Sequence, residues 1–218
     1  MADLYLLSPA WCAGKRAQML MREASEMTLA RDLREGRLSL GAAFSFMSGL
    51  YFRGKLAYAS AFAAGSDLTW IITPTRGLQP PSLVVSVDLL REFAAVDVDA
   101  DDARYRAALE RDAQALADRL EPDARLILLG SIATGKYVDV LRPIFGDRLY
   151  YPADFVSRGD MSRGGLMLRC VRESVPLRYV KVTSVRPRSA RKVAPIRMLR
   201  LTRTHGGTKG DRDTEESS

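Results

Sequence analysis

Residues 125–129 read Arg-Leu-Ile-Leu-Leu and run directly into Gly130-Ser131. A strand with one wet face alternates apolar and polar side chains. A run that is apolar on both faces must be covered on both. This segment therefore demands a sheet with helices above and below it. The rest of the chain supplies matching pieces. Leu4–Ser8 is a short apolar run closing on Ser-Pro, Thr69–Thr73 (TWIIT) is β-branched and aromatic and stops at Pro74, and Arg148–Tyr151 stops at Pro152. Leu177–Thr183 alternates as a last strand. Helical patterns fall between them at 16–35, 40–64, 86–95, 102–120, 134–144 and 161–173, with Gly36 and Gly65 as stops. Strands alternating with helices predict a mainly parallel sheet in a three-layer α/β/α sandwich. The expected domain is 1–185, followed by a basic extension, 186–218, in which the pattern dissolves into Arg, Pro, Ser and Gly.

Charge follows the same division. Residues 181–218 hold ten Lys/Arg and four Asp/Glu, whereas residues 1–180 are nearly neutral at net +1. Arg186, Arg188, Arg191 and Lys192 read as phosphate-tracking residues, or as a solubilising tail. No run approaches the roughly 20 apolar residues of a membrane span, and Met1–Tyr5 has no basic segment of the signal-peptide kind. Cys12 and Cys170 are far apart and make no metal pattern, and His205 is the only histidine. The expectation is a cytoplasmic chain with reduced thiols, no metal and no cofactor. Oligomeric state is not legible.

In open α/β sheets ligands bind beyond the carboxyl ends of the strands. Four of the expected ends combine Gly, Ser/Thr and a basic residue. The first offers Ser8, Trp11, Cys12 and Lys15; the second, Thr75 and Arg76. The third, GSIATGKY, offers Ser131, Thr134, Lys136 and Tyr137. Its glycine spacing and Lys136 fit a phosphate-binding P-loop, but Tyr137 stands where the Mg²⁺-binding hydroxyl belongs. The fourth offers Asp154 and then SRGDMSRGG, with Arg158, Asp160, Ser162 and Arg163. Asp160 or Ser162 can cap the following helix, or Asp160 can serve as a carboxylate between arginines at a pocket rim. In Ser48–Lys55 two glycines flank Tyr51, Phe52 and Arg53, which fits base stacking or close packing. Cys12 has no histidine in the body to activate it and reads as a pocket-lining thiol.

These pieces, in this order, resemble the uracil-DNA-glycosylase-like superfamily, and its small bacterial members most. The resemblance covers roughly residues 4–180. It rests on the Ser8 and Cys12–Lys15 strand end, Tyr51-Phe52-Arg53 to Tyr58-Ala59, and Trp70–Thr73 into Arg76-Gly77-Leu78; GSIATGKY and YPADF…GDMSRGG continue it. It implies a domain that flips a base from duplex DNA and cuts its N-glycosidic bond, in some members as a defence against phage with modified bases. The chain lacks the family's Gly-Gln-Asp-Pro-Tyr and late His-Pro-Ser loops. The expected roles are Asp160, or Asp154, for a cationic sugar, and Ser8, Ser131 and Thr134 for the departing base anion. Tyr51 or Trp11 would stack on the base. Lys15 or Lys136 offers a Schiff-base route. A non-catalytic binding module and a nucleotide-processing enzyme using GSIATGK are the competing readings.

Overall fold

The computed structural model describes residues 3–184. Its six strands are β1 (Asp3–Leu7), β2 (Thr69–Ile72), β3 (Leu78–Gln79), β4 (Arg125–Leu129), β5 (Leu149–Pro152) and β6 (Tyr179–Lys181). They form one sheet in the order β3-β2-β1-β4-β5-β6. β2, β1, β4 and β5 are parallel, and the two edge strands run antiparallel.

Eight α-helices accompany them among the described residues: α1 (Lys15–Met21), α2 (Thr28–Arg34), α3 (Leu40–Ser48), α4 (Leu50–Phe62), α5 (Val87–Ala94), α6 (Ala103–Ala117), α7 (Val138–Phe145) and α8 (Asp160–Glu173). Alternate side chains of the central strands divide between two cores. Tyr5, Leu7, Ile127 and Leu129 pack with α1–α5 and α8; Leu4, Leu6, Leu126 and Leu128 pack with α6 and α7. The two-sided burial that RLILL demands is thus met, and the architecture is the three-layer α/β/α sandwich.

Three expectations need correction. The helix expected over 16–35 is two helices, because residues 22–27 turn between them. Arg34 closes that turn by donating to the Arg22 and Ser25 carbonyls at 3.5 and 3.0 Å. The helix expected over 40–64 breaks at Gly49, whose φ of +62° no helix accommodates. The helix expected from Thr134 starts only at Val138, since Gly135 at φ +75° keeps the GSIATGKY segment a loop. Strand β3, which the sequence does not announce, follows a tight turn in which Thr73 N–H donates to the Gly77 carbonyl at 2.8 Å.

Candidate functional site

The chain passes from β1 to β2 on one side and later places β4 on the other side of β1. The strand order reverses there, where an open α/β sheet leaves a crevice. Ser8 ends β1 and its N–H donates to Leu129 O at 3.3 Å, carrying the ladder one step past the strands. A Cβ on Gly130 would lie 3.0 Å from the Ser8 Cβ, so the bare glycine makes room for Ser8.

Over this point lie α4 and α8, in backbone contact. A Cβ on Gly54 would stand 2.7 Å from the Gly164 carbonyl oxygen, and one on Gly164 would stand 2.7 Å from that of Leu50. Real side chains never approach so closely, so only glycine serves at both positions. The contact sets Tyr51 and Lys55 of α4 beside Asp160 and Arg163 of α8.

Lys55 is fully buried. Its Nζ donates to Ser8 O at 2.5 Å and to Ser8 Oγ at 2.8 Å, and it lies 4.5 and 4.8 Å from the ring centres of Tyr51 and Phe52. No carboxylate stands within ion-pair distance of it among the described residues. Burial lowers its pKa to about 7; the Asp160 charge opposes this, and Lys136 and Arg163 add to it. A buried lysine is rare unless it is paired, and here ring faces and Ser8 oxygens replace a carboxylate.

The neighbours of Lys55 are also unusual. The Tyr51 hydroxyl is buried with no hydrogen-bond partner, an omission that typically costs about 1–3 kcal/mol. Its pKa is raised by burial, with Arg163 opposing. Tyr137 is buried, and burial pushes its phenol well above the ordinary range. Arg163 donates through Nε and Nη2 to the Phe155 carbonyl at 3.2 and 3.0 Å, lies over the Phe155 ring, and reaches Asp160 at 3.4 Å.

Next to the cluster a cleft of about 400 Å³ opens at the strand ends. Trp11, Cys12, Pro74, Phe93 and Tyr137 supply its apolar wall, and Lys136, Asp97 and Asp99 its charges. Tyr137 belongs to both cluster and cleft. Its loop is pinned from α6, where Tyr105 donates to the Lys136 carbonyl at 2.9 Å.

The residues expected to act together are therefore only partly assembled. Ser8, Tyr51, Tyr137, Asp160 and Arg163 converge. Trp11 (73% exposed) and Cys12 reach the cleft, and burial raises the Cys12 thiol to about 12, which makes it a poor nucleophile. Lys136 Nζ lies over the Tyr137 ring, so this lysine covers the phenol. Lys15 and Arg53 are exposed on α1 and α4. Ser131 is half-buried and accepts from Ala133 N–H, and Thr134 is exposed.

Thr75 and Arg76 are drawn away instead. Arg76 binds Glu92 of α5 through two hydrogen bonds at 2.8 and 2.6 Å, and Thr75 donates to the same carboxylate. Asp154 is exposed in a 3-10 turn and its charge acts on Cys170. It does not join the Lys55 cluster. The helix cap expected of Asp160 or Ser162 is not formed. Gly159 occupies the N-cap and Asp160 is the first helical residue, while Ser162 accepts from Arg158 at 3.2 Å. Tyr51 and Phe52 are buried and cannot form a stacking surface, and the flanking glycines serve the helix break and the α4–α8 contact. Arg186, Arg188, Arg191 and Lys192 lie outside the described residues.

Sequence reasoning missed Lys55. Its signal is positional: Tyr51, Phe52, Lys55, Tyr58 and Ala59 form one buried stripe at i, i+1, i+4, i+7 and i+8, and a lysine in that stripe has no route to water.

Compared with protein-family models, curated proteins and solved structures, the chain matches none.

Proposed function

We propose that this chain is a DNA glycosylase: a hydrolase that takes a modified base into the strand-end cleft and cuts its N-glycosidic bond, leaving an abasic site. One observation supports this above the others. A cleft of about 400 Å³, lined by Trp11, Phe93, Tyr137 and Lys136 among others, adjoins the sealed Lys55–Ser8 pair, and the Asp160 carboxylate stands at the start of the neighbouring α8.

Glycosidic cleavage creates a cationic sugar and an anionic leaving base. In this reading the Asp160 carboxylate, 68% exposed, faces the cation and orients water. Tyr137 lines the cleft, and in this reading its hydroxyl meets the leaving base. Trp11 offers a ring for stacking. Lys15, Lys136 and Arg158 follow the carboxyl ends of β1, β4 and β5, where duplex phosphates would pass. The chemistry needs no metal. Phage DNA with modified bases is the proposed target, and the reducing cytoplasm the proposed compartment, in keeping with two buried free thiols.

The test is incubation of the full chain with duplex DNA carrying natural or phage-type modified bases, followed by assay for free base and alkali-labile abasic sites. Excision that Asp160→Asn abolishes, with DNA binding retained, is the expected result. No excision from any such DNA overturns the proposal. A second reading, a binding module without catalysis, draws on the Asp160–Arg163 pair, since an i,i+3 pair at a helix start also occurs as a plain surface feature. In that case Asp160→Asn leaves DNA binding and any cellular phenotype unchanged.

A further inference from the structure

We propose that the hollow between α6 and the β2–β3 edge of the sheet binds a small organic anion, a carboxylate or phosphate monoester carried on a flat apolar body. The hollow shares no residue with the strand-end cleft, and the proposal does not rest on the glycosylase reading.

Two walls enclose about 340 Å³, a volume suited to a small molecule. Trp70 of β2 and Leu78 and Gln79 of β3 supply the sheet wall. Arg111, Asp112, Ala115 and Leu116 of α6 supply the other, and Arg119 follows just past the helix end. There the Arg119 N–H turns to the Leu116 carbonyl at 3.1 Å, and its Nε donates to the Ala115 carbonyl at 3.0 Å. The guanidinium thus closes the helix terminus from its own side chain.

The side chains of the hollow are rich in unused donors. Asp112 is its only carboxylate and is already engaged: Leu78 N–H donates to Oδ2 at 3.0 Å and Arg111 Nε to Oδ1 at 2.8 Å. Both guanidiniums are held through Nε alone, and their Nη groups have no partner among the described residues. Gln79 Nε2 donates to the Arg76 carbonyl at 2.6 Å. The Trp70 indole N–H is buried and has no hydrogen-bond partner among the described residues. A native fold rarely leaves such a group unpaired without a reason.

These features select the ligand by its chemistry. A cation meets two guanidiniums and a carboxylate that is already bonded. A neutral ring covers Trp70, Leu78 and Leu116 and leaves the Nη groups to water. A bare inorganic anion engages the guanidiniums and leaves the apolar wall uncovered. An anionic group on a flat body does both: its oxygens match the planar fork of a guanidinium, and its body lies along the indole and the two leucines.

The test is an NMR titration of the full chain. Its two tryptophans give two indole N–H signals, and Trp70→Phe assigns one of them. Phenyl phosphate and benzoate are the probes. Benzyl alcohol serves as the uncharged ring and inorganic phosphate as the anion without a body. At least one of the two acids should shift the Trp70 signal saturably while the Trp11 signal, from the strand-end cleft, stays in place. The tighter acid identifies the anionic group. Benzyl alcohol and inorganic phosphate should each bind about tenfold more weakly or worse.

Arg111→Gln and Arg119→Gln should each weaken binding about tenfold. Ala115→Leu should abolish it by filling the hollow from an exposed position. Arg106→Gln, on α6 but outside the hollow, should change nothing. The absence of a saturable Trp70 shift with both acids overturns the proposal. So does a shift of Trp11 in its place, equal binding of benzyl alcohol or inorganic phosphate, or affinity that survives both Ala115→Leu and the double Arg111→Gln, Arg119→Gln variant.

Discussion

Lys55 carries its charge into a place where nothing neutralises it, and this has a thermodynamic consequence. Its folded-state pKa is about 7, against about 10.4 in an unfolded chain. Below pH 7 both states hold the proton and the folded state bears the full cost of burying it. Between pH 7 and about 10.4 the unfolded chain binds more protons, so stability rises with pH. Lys55→Met has no such term. The stability of the wild type relative to Lys55→Met should therefore climb by a few kcal/mol from pH 6 to pH 9.5, measured by denaturant unfolding at each pH; a difference that stays flat means that Lys55 titrates as an exposed lysine. Tyr51 makes a second prediction at this scale. Its hydroxyl is buried and unpartnered, so Tyr51→Phe should not destabilise the fold and should raise its midpoint modestly, since the orphan group's desolvation is removed.

Helices α4 and α8 touch through Gly54 and Gly164, and the register of that contact decides which side chains face Ser8. Gly164→Ala would put a methyl 2.7 Å from the Leu50 carbonyl oxygen and 2.9 Å from Tyr51 Cα, against backbone that cannot step aside. A loss of about 1–3 kcal/mol is expected from such overpacking. Gly165→Ala is the matched control: nothing lies within 4 Å of its Cβ, so it should gain up to about 1 kcal/mol from helix propensity. Thermal unfolding of the two variants separates backbone contact from propensity, and equal behaviour would refute the contact. Gly49 works differently, since its φ of +62° ends α3 and lets α4 leave in a new direction.

For the molecule as a whole, the strand order places the reversal between β1 and β4, and both strand ends there lead into the same cluster. The body is nearly neutral while most of the net +7 sits in the last 38 residues. Truncation after residue 185 should accordingly weaken DNA binding and flatten its salt dependence, in proportion to the cations removed. Binding isotherms over a series of salt concentrations read this directly. An unchanged slope would leave the grip to the body's own Lys15, Lys136 and Arg158. Among the described residues, no helix is long and apolar enough to cross a membrane.

The alternation of apolar runs with helical patterns determined the layered α/β architecture, because burial on both faces of RLILL admits little else. It also determined that polar groups gather at the strand ends, and five of the expected residues do meet there. The helix break at residues 22–27 was not legible, since one arginine's reach closes it without disturbing the apolar period; the glycine pair in Ser48–Lys55 did signal an interruption, and the positive φ of Gly49 placed it. Only the tertiary structure decided the centre of the site. Arg76 and Lys55 are each a single cation, the first just past β2 and the second inside α4. Glu92 on a neighbouring helix draws the first to the surface, and a glycine contact between α4 and α8 seals the second against Ser8. Whether a charge is screened by a carboxylate or buried beside a hydroxyl depends on which elements pack together, and that is a property of the fold rather than of local pattern.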